Sequence, residues 1–297
     1  MDVNSYQAQA AETMQFRAGS DDAKAVALLG LSGEVGELLT EYKKKIRDGD
    51  SYKIFRAKLV EELGDIIWYL SSVATLEEIA LDEILASNLQ KTSARWRSQH
   101  EDGSIPFERE FFDDGRPEAE KLPRELVAEF DEKTGEDGKL YAEVKVNDEP
   151  FGDPLRDNAY SDDYYRFHDV FHLSYAVILG WSPIARRFLK CKRQTDDDID
   201  EVEDGGRASV VDEAISVLVF EYARDRNFLE GAGAVDYELL RTIKMLTRHL
   251  EVKRCTTKQW EEAILLGFEI WRALAKERKG RVICDLHNRT MVFEPLE

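Results

Sequence analysis

The sequence predicts a mainly α-helical chain: an N-terminal helical bundle and a second helical lobe, with a small β-hairpin between them. Three observations carry this. Apolar residues recur three and four apart through residues 23–46 and 52–77, as on one side of a helix. The same spacing returns beyond residue 160. Between these regions ELVAEF and KLYAEVKV alternate in twos around TGEDG, the pattern of strand, turn and strand. The divisions expected are 1–100 for the bundle, 101–160 for a linker carrying the hairpin, and 161–297 for the helical C-terminal domain.

Each element follows from local chemistry. Residues 4–17 read as a short amphipathic helix with Tyr6, Ala10 and Met14 inward. Gly19-Ser20-Asp21-Asp22 is a turn and cap cluster. The helix after it carries Leu28, Leu31, Val35, Leu38 and Leu39, and Asp48-Gly49-Asp50 ends it. The third helix faces Leu59, Leu63, Ile66, Ile67 and Leu70 inward. Asp82 reads as the cap of a fourth, DEILASNLQKTSARW. Residues 99–120 hold Gly, Pro and charge and read as a loop. Five helical stretches follow the hairpin, and the acidic loop 194–206 interrupts them.

The bulk composition narrows the function. The net charge is −19 over 297 residues, so long-range electrostatics oppose nucleic-acid polymers as partners. A small nucleotide carried with a metal ion is less affected. Three cysteines without CxxC spacing fit a reducing compartment. No stretch approaches the roughly 20 apolar residues of a membrane span, and no apolar signal region opens the chain. No membrane partner is expected, and the cytoplasm is the expected location.

Four carboxylates carry the sharpest chemical signal. Glu34 and Glu37 stand in GEVGELLTEY, and Glu62 and Asp65 in KLVEELGDIIWYL. Each pair is spaced i, i+3, so its members share one helix face. The intervening residues suffice to end one helix and bring a second alongside. Glu34, Glu37 and Glu41 fall within a sector of about 60°, as do Lys58, Glu62, Asp65 and Tyr69 on the next helix. Unpaired, such acids repel and cost desolvation, so a hard divalent cation is the natural companion. Mg²⁺ held by carboxylates usually awaits phosphates, which makes nucleotides the expected substrate class. The bland alternative is a solvated charged face, weakened by the interleaved apolar stripes. Gly33, Gly36 and Gly64 lower helix stability and suggest close helix packing or ligand approach.

Further along, Asn88, Lys91 and Arg95 share one face of the fourth helix. An amide and two cations suit phosphate oxygens and a sugar or base edge, though surface charge reads the same way. Lys43, Lys44 and Lys45 suit pyrophosphate, or simply the negative end of the second helix, the role expected for two of the three.

GEVGELLTEYKK, KLVEELGDIIWYL and NLQKTSARW together closely resemble the MazG-type nucleoside triphosphate pyrophosphohydrolases, over roughly residues 20–97. Their ExxE…ExxD signature stands here as Glu34-Val35-Gly36-Glu37 and Glu62-Leu63-Gly64-Asp65. The resemblance implies an all-α fold and hydrolysis of an NTP or dNTP to monophosphate and pyrophosphate, for nucleotide-pool sanitation or control. It implies Mg²⁺, with Mn²⁺ as a substitute, held by Glu34, Glu37, Glu62 and Asp65. Catalytic roles then fall to Glu37 and Glu62, with Glu37 taking the proton of the attacking water. Substrate binding falls to Lys43, Asn88, Lys91 and Arg95, the last two at the leaving pyrophosphate. Trp68 and Tyr69 reach the base or are plain core, and core is expected for Trp68. Family members often carry a further acid where this chain has Gly33. MazG-type domains usually bury their remaining face by oligomerising, so a homodimer is one arrangement. Cover by the second lobe within one chain is another. The alternative functions are a nucleotide-sensing regulatory module and a bifunctional chain.

The bifunctional reading rests on His168 and His172 in YRFHDVFHLSYA, spaced i, i+4 so that two imidazoles reach one metal ion. The third ligand is expected from Glu213, Glu221 or an acid of DEVEDGG. Two satisfied helix histidines are the bland alternative. The stretch RFHDVFHLSYAVILGWSP with DEVEDGGRASVVDEAISVLVFEYA resembles the C-terminal domain fused to some MazG-like proteins, which assigns those residues no role.

Overall fold

The computed structural model describes residues 1–15, 21–96 and 111–296, and the chain divides into two compact units, Met1–Ser93 and Ala94–Glu297. No described helix is long and apolar enough to cross a membrane.

In the first unit, α1 (Val3–Glu12) opens on Asp2, whose carboxylate accepts from the Ser5 amide at 2.9 Å. The long helices α2 (Asp21–Asp48) and α3 (Phe55–Leu76) lie antiparallel, and α4 (Leu81–Trp96) follows. The antiparallel register is legible in its contacts. Lys24 pairs with Glu77 at 3.1 Å near one end, and Tyr42 meets Phe55 edge to face at 5.3 Å near the other. Gln7 ties three helices. Its amide nitrogen donates to the Thr75 hydroxyl and the Ile79 carbonyl, and its oxygen accepts from the Leu81 amide at the start of α4.

The close approach of α2 and α3 occurs at Gly30, where an added Cβ would lie 2.1 Å from the Tyr69 ring. Gly33, Gly36 and Gly64 play no such part: a Cβ at any of them meets nothing within 4 Å among the described residues. The packing role expected of those three therefore belongs to Gly30. Opposite signs are expected for two alanine substitutions. Gly33→Ala stabilises by up to about 1 kcal/mol through helix propensity. Gly30→Ala destabilises by about 1–3 kcal/mol, because Tyr69 must give way. Chemical denaturation of both variants measures this, and equal stabilisation by both would refute the tight contact.

The second unit packs helices against an antiparallel sheet of order β3-β2-β1-β4-β5. Its strands are β1 (Glu125–Thr134), β2 (Leu140–Val146), β3 (Glu149–Pro150), β4 (Lys279–Asp285) and β5 (Thr290–Pro295). The chain is mainly α, as expected, but the hairpin is not a small connector. It forms one side of a five-stranded sheet that β4 and β5 complete. The physical reason lies in β1, whose Leu126, Ala128 and Phe130 are buried. An isolated two-stranded hairpin cannot cover such a face. Gly280 in β4 opposes Phe130 and lets the Phe293 ring of β5 approach, where a Cβ would meet it at 2.2 Å.

The helices of this unit are α5 (Asp169–Leu179), α6 (Pro183–Phe188), α7 (Asp197–Val202), α8 (Gly206–Arg224), α9 (Tyr237–Leu246) and α10 (Thr257–Glu277). Every residue of α5 is buried, and α10 lies along it, with Gly267 against Phe171 and Ser174. Thr256 and Gln259 close a capping box at the start of α10. Ser182 caps α6, with Pro183 in its first turn.

Charges are buried here in matched sets. Asp113 accepts from Arg124 at 2.6 Å, Arg186 at 2.9 Å and the Leu122 amide at 2.8 Å. Arg193 donates to Asp204 at 2.7 Å and to Glu251 at 2.6 Å. The acidic stretch 194–206 is thus more than a solvated loop. It holds α7, capped by Asp196, and it buries Asp204 beneath Arg193. The three cysteines are buried and free.

Candidate metal centre and active site

The site is built from the facing sides of α2 and α3. Glu34 stands one turn beyond Gly30, and Asp65 one turn before Tyr69, so the register that seats Tyr69 on Gly30 also brings these acids together. Glu34, Glu62 and Asp65 each offer an oxygen within 4.8 Å of the other two. Glu62 is buried, Glu34 half-buried and Asp65 exposed. Glu37 is exposed and lies outside this trio, although its charge reaches both Glu34 and Glu62.

The electrostatics call for a cation. Glu34 is pushed above the ordinary carboxylate range by desolvation, then by Asp65 and Glu37. Glu62 is raised by desolvation, then by Glu61, Glu37, Glu34 and Asp65. The neighbouring ammonium groups are engaged with other acids: Lys44 donates to Glu41 at 2.5 Å and Lys58 to Glu61 at 2.6 Å. Three carboxylate oxygens this close together fit a hard divalent ion, which takes oxygen ligands and keeps positions for water or phosphate.

Glu41, which shares the sector of Glu34 and Glu37 in sequence, is spent structurally. It is buried and accepts from the Tyr52 hydroxyl as well as from Lys44, fastening the turn between α2 and α3. Lys45 donates to the Gly49 carbonyl at 2.8 Å, serving the end of α2. Lys43 is exposed, with no ion pair among the described residues. Asn88 is exposed and lines a shallow hollow with Ile79, Glu83, Ile84 and Ser87. Among the described residues no hydrogen bond links it to the acids. The side chains of Lys91 and Arg95 lie outside the described residues. Trp68 donates to the Thr13 hydroxyl at 2.7 Å and meets Tyr69 edge to face.

In the second unit, His168 caps α5 and His172 lies one turn inside it, and both imidazoles turn towards Glu213 on α8. Of the other acids considered for this set, Glu221 pairs with Arg224 and Asp204 with Arg193. Asp212 is the residue that sequence reasoning missed. It precedes Glu213, and adjacent helix positions point about 100° apart. That separation lets Asp212 hold one edge of His172 while Glu213 faces the other.

Comparisons with known proteins agree on both halves. Residues 24–100 match the MazG nucleotide pyrophosphohydrolase domain, and residues 107–297 match the MazG C-terminal domain. The chain is similar to the Gene 37 protein of Mycobacterium phage L5, at 32% identity over 101 residues that span 32% of this chain and 89% of that protein. No solved structure matches the chain.

Proposed function

The chain belongs to the MazG family, with the pyrophosphohydrolase domain and the MazG C-terminal domain in one polypeptide, and on that premise we propose that it hydrolyses nucleoside triphosphates, NTP or dNTP, to monophosphate and pyrophosphate with Mg²⁺. The observation that carries the proposal is the convergence of Glu34, Glu62 and Asp65 within 4.8 Å. The ion would be held by these three, with Glu37 as a fourth ligand only partly engaged by it. Once bound, Mg²⁺, or Mn²⁺ in its place, neutralises triphosphate oxygens and acidifies a water molecule.

The protein's own residues do the rest. Asp65 and the buried Glu62 would hold the ion from α3, and Glu34 would hold it from α2. Glu37, exposed and outside the trio, is the carboxylate least engaged by the ion and takes a proton from the water that attacks the α-phosphorus. Lys43, Lys91 and Arg95 balance the departing pyrophosphate, and Asn88 serves the sugar or base. The domain boundary falls near residue 100, and the role is nucleotide-pool sanitation or control in the cytoplasm. Leu29, Ile46 and Val60 are 73%, 82% and 64% exposed, which supports cover of this unit by a second copy as a homodimer.

The test is pyrophosphate release from a panel of NTPs and dNTPs, with Mg²⁺ and with chelator. Metal-dependent release is the expected result. Mg²⁺-dependent binding without release would leave a nucleotide-sensing module instead.

A further inference from the structure

We propose that His168, His172 and Glu213 form a second metal site, in the C-terminal unit, for a divalent transition-metal ion of the zinc class. The proposal does not rest on the pyrophosphohydrolase reading. It starts from the hydrogen bonds of the two imidazoles. The Nδ1 of His172 lies 2.8 Å from Asp212 Oδ1. The Nδ1 of His168 lies 2.9 Å from the Tyr165 carbonyl oxygen. Both partners are acceptors, so each Nδ1 carries a proton, and whenever a ring is neutral its Nε2 lone pair is the one free for a metal ion. Those lone pairs converge on one anion. Glu213 Oε2 is 3.4 Å from His172 Nε2 and 3.7 Å from His168 Nε2.

Two lone pairs and a carboxylate repel one another unless a proton or a metal ion lies among them. His172 is fully buried, and its Nε2 makes no hydrogen bond. The spacing suits an ion: ligand atoms about 2.1 Å from a tetrahedral centre stand about 3.4 Å apart. Two imidazole nitrogens with one carboxylate select zinc-class ions over Mg²⁺ or Ca²⁺.

The surroundings are those of a metal site. Asp212 is itself fixed, with Oδ2 accepting from the Ser182 hydroxyl at 2.7 Å and the Ile184 amide at 3.2 Å. A carboxylate that holds the far nitrogen of a histidine sets its tautomer and raises its basicity as a ligand. Tyr165 stacks on His168 at 4.3 Å and fixes that ring. The buried Asp169 lies beside His168 with one oxygen unpartnered. The Glu213 side chain is 42% exposed, so the set opens to solvent. Three protein ligands with one open position is the arrangement of zinc sites that bind water or a substrate oxygen.

The competing reading places a proton where the ion would sit. Burial disfavours a charged His172, but Asp212 and Glu213 outweigh it and lift its pKa to about 10. The experiment must separate proton from metal. The full-length protein, held in excess Mg²⁺ to occupy the acidic trio, is titrated with Co²⁺ and read by visible absorption. Zinc per chain is then counted after dialysis against the same Mg²⁺ buffer. One equivalent of Zn²⁺ and an intense, imidazole-type Co²⁺ band are expected. Glu213→Gln, at a half-exposed position that spares the fold, lowers the affinity at least 100-fold. Asp212→Asn lowers it about 10–100-fold, as outer-shell changes typically do. His172→Ala abolishes the band, and Glu62→Gln leaves it unchanged. A protein that retains no Zn²⁺ and shows no such band, or a band unaltered in Glu213→Gln and lost in Glu62→Gln, overturns the proposal.

Discussion

Glu62→Gln is expected to lower kcat for pyrophosphate release at least about 1,000-fold, roughly 4 kcal/mol of transition-state stabilisation. Glu62 is the most enclosed of the four acids at 9% exposed, and its charge meets those of Glu34, Glu37 and Asp65. Glutamine keeps its shape and removes the charge that an ion would need. The structural cost runs the other way. Without metal, the change relieves repulsion among the remaining acids, so the thermal midpoint of the metal-free protein holds or rises. The midpoint increase brought by Mg²⁺ shrinks or disappears in the variant. This opposition between activity and stability distinguishes a ligand from a residue that merely packs. Release above a tenth of the wild-type rate, with an undiminished Mg²⁺ shift, would remove Glu62 from the site.

The largest stability effect is expected at Asp113. Its fully buried carboxylate holds Arg124, Arg186 and the Leu122 amide, and Arg186 is itself buried. Asp113→Ala leaves Arg186 with only carbonyl partners, those of Glu120 and Cys191. Its distant contact with Asp204, at 3.8 Å, compensates little. An uncompensated buried charge costs about 3–5 kcal/mol, which denaturant unfolding followed by near-ultraviolet dichroism would read. The effect also depends on pH. Burial alone would raise the Asp113 pKa, but Arg124, Arg186 and the Leu122 amide outweigh it, and the folded value lies below 3.8. A depressed folded pKa contributes stability that is fully present above the unfolded value near 4. That stability is lost as pH falls through the folded value. The gap between wild type and variant is therefore constant near neutrality and narrows below about pH 4. A cost under 1 kcal/mol at pH 7 would show that the cluster adds little.

Legibility in the sequence followed the range of the interactions. Helices α2 and α3 announced themselves because apolar periodicity is local, and the i, i+3 spacing placed Glu34, Glu62 and Asp65 close enough to meet. Spacing did not separate Glu41 from Glu37, because the Tyr52 hydroxyl that captures Glu41 comes from beyond the turn. The packing glycine was missed because Gly30, Gly33 and Gly36 differ only in what faces them across the helix pair. The hairpin turn TGEDG was local, and β1 paired with β2 as that turn requires. Strands β4 and β5 were not anticipated. They are short, β4 follows directly on a long amphipathic helix, and its partner β1 lies about 150 residues earlier, so no local pattern set them apart. The His168 and His172 pair was visible at i, i+4, whereas Asp212 acquires meaning only once α8 is laid beside α5.

The sheet order carries a consequence for the birth of the protein. β1 lies between β2, its neighbour in the chain, and β4, whose Lys279 pairs with Asp131 about 150 residues earlier. During translation β1 and β2 emerge early and must wait, with one long edge bare, until nearly all the helices of the unit have left the ribosome. The closing pairing is among the most non-local in the chain, so it governs the rate of folding and the time for which an adhesive strand edge is open to other chains. Within Met1–Ser93 the contacts of Gln7 with Thr75, Ile79 and Leu81 join segments at most about 75 residues apart, and they can form while the remainder is still being made.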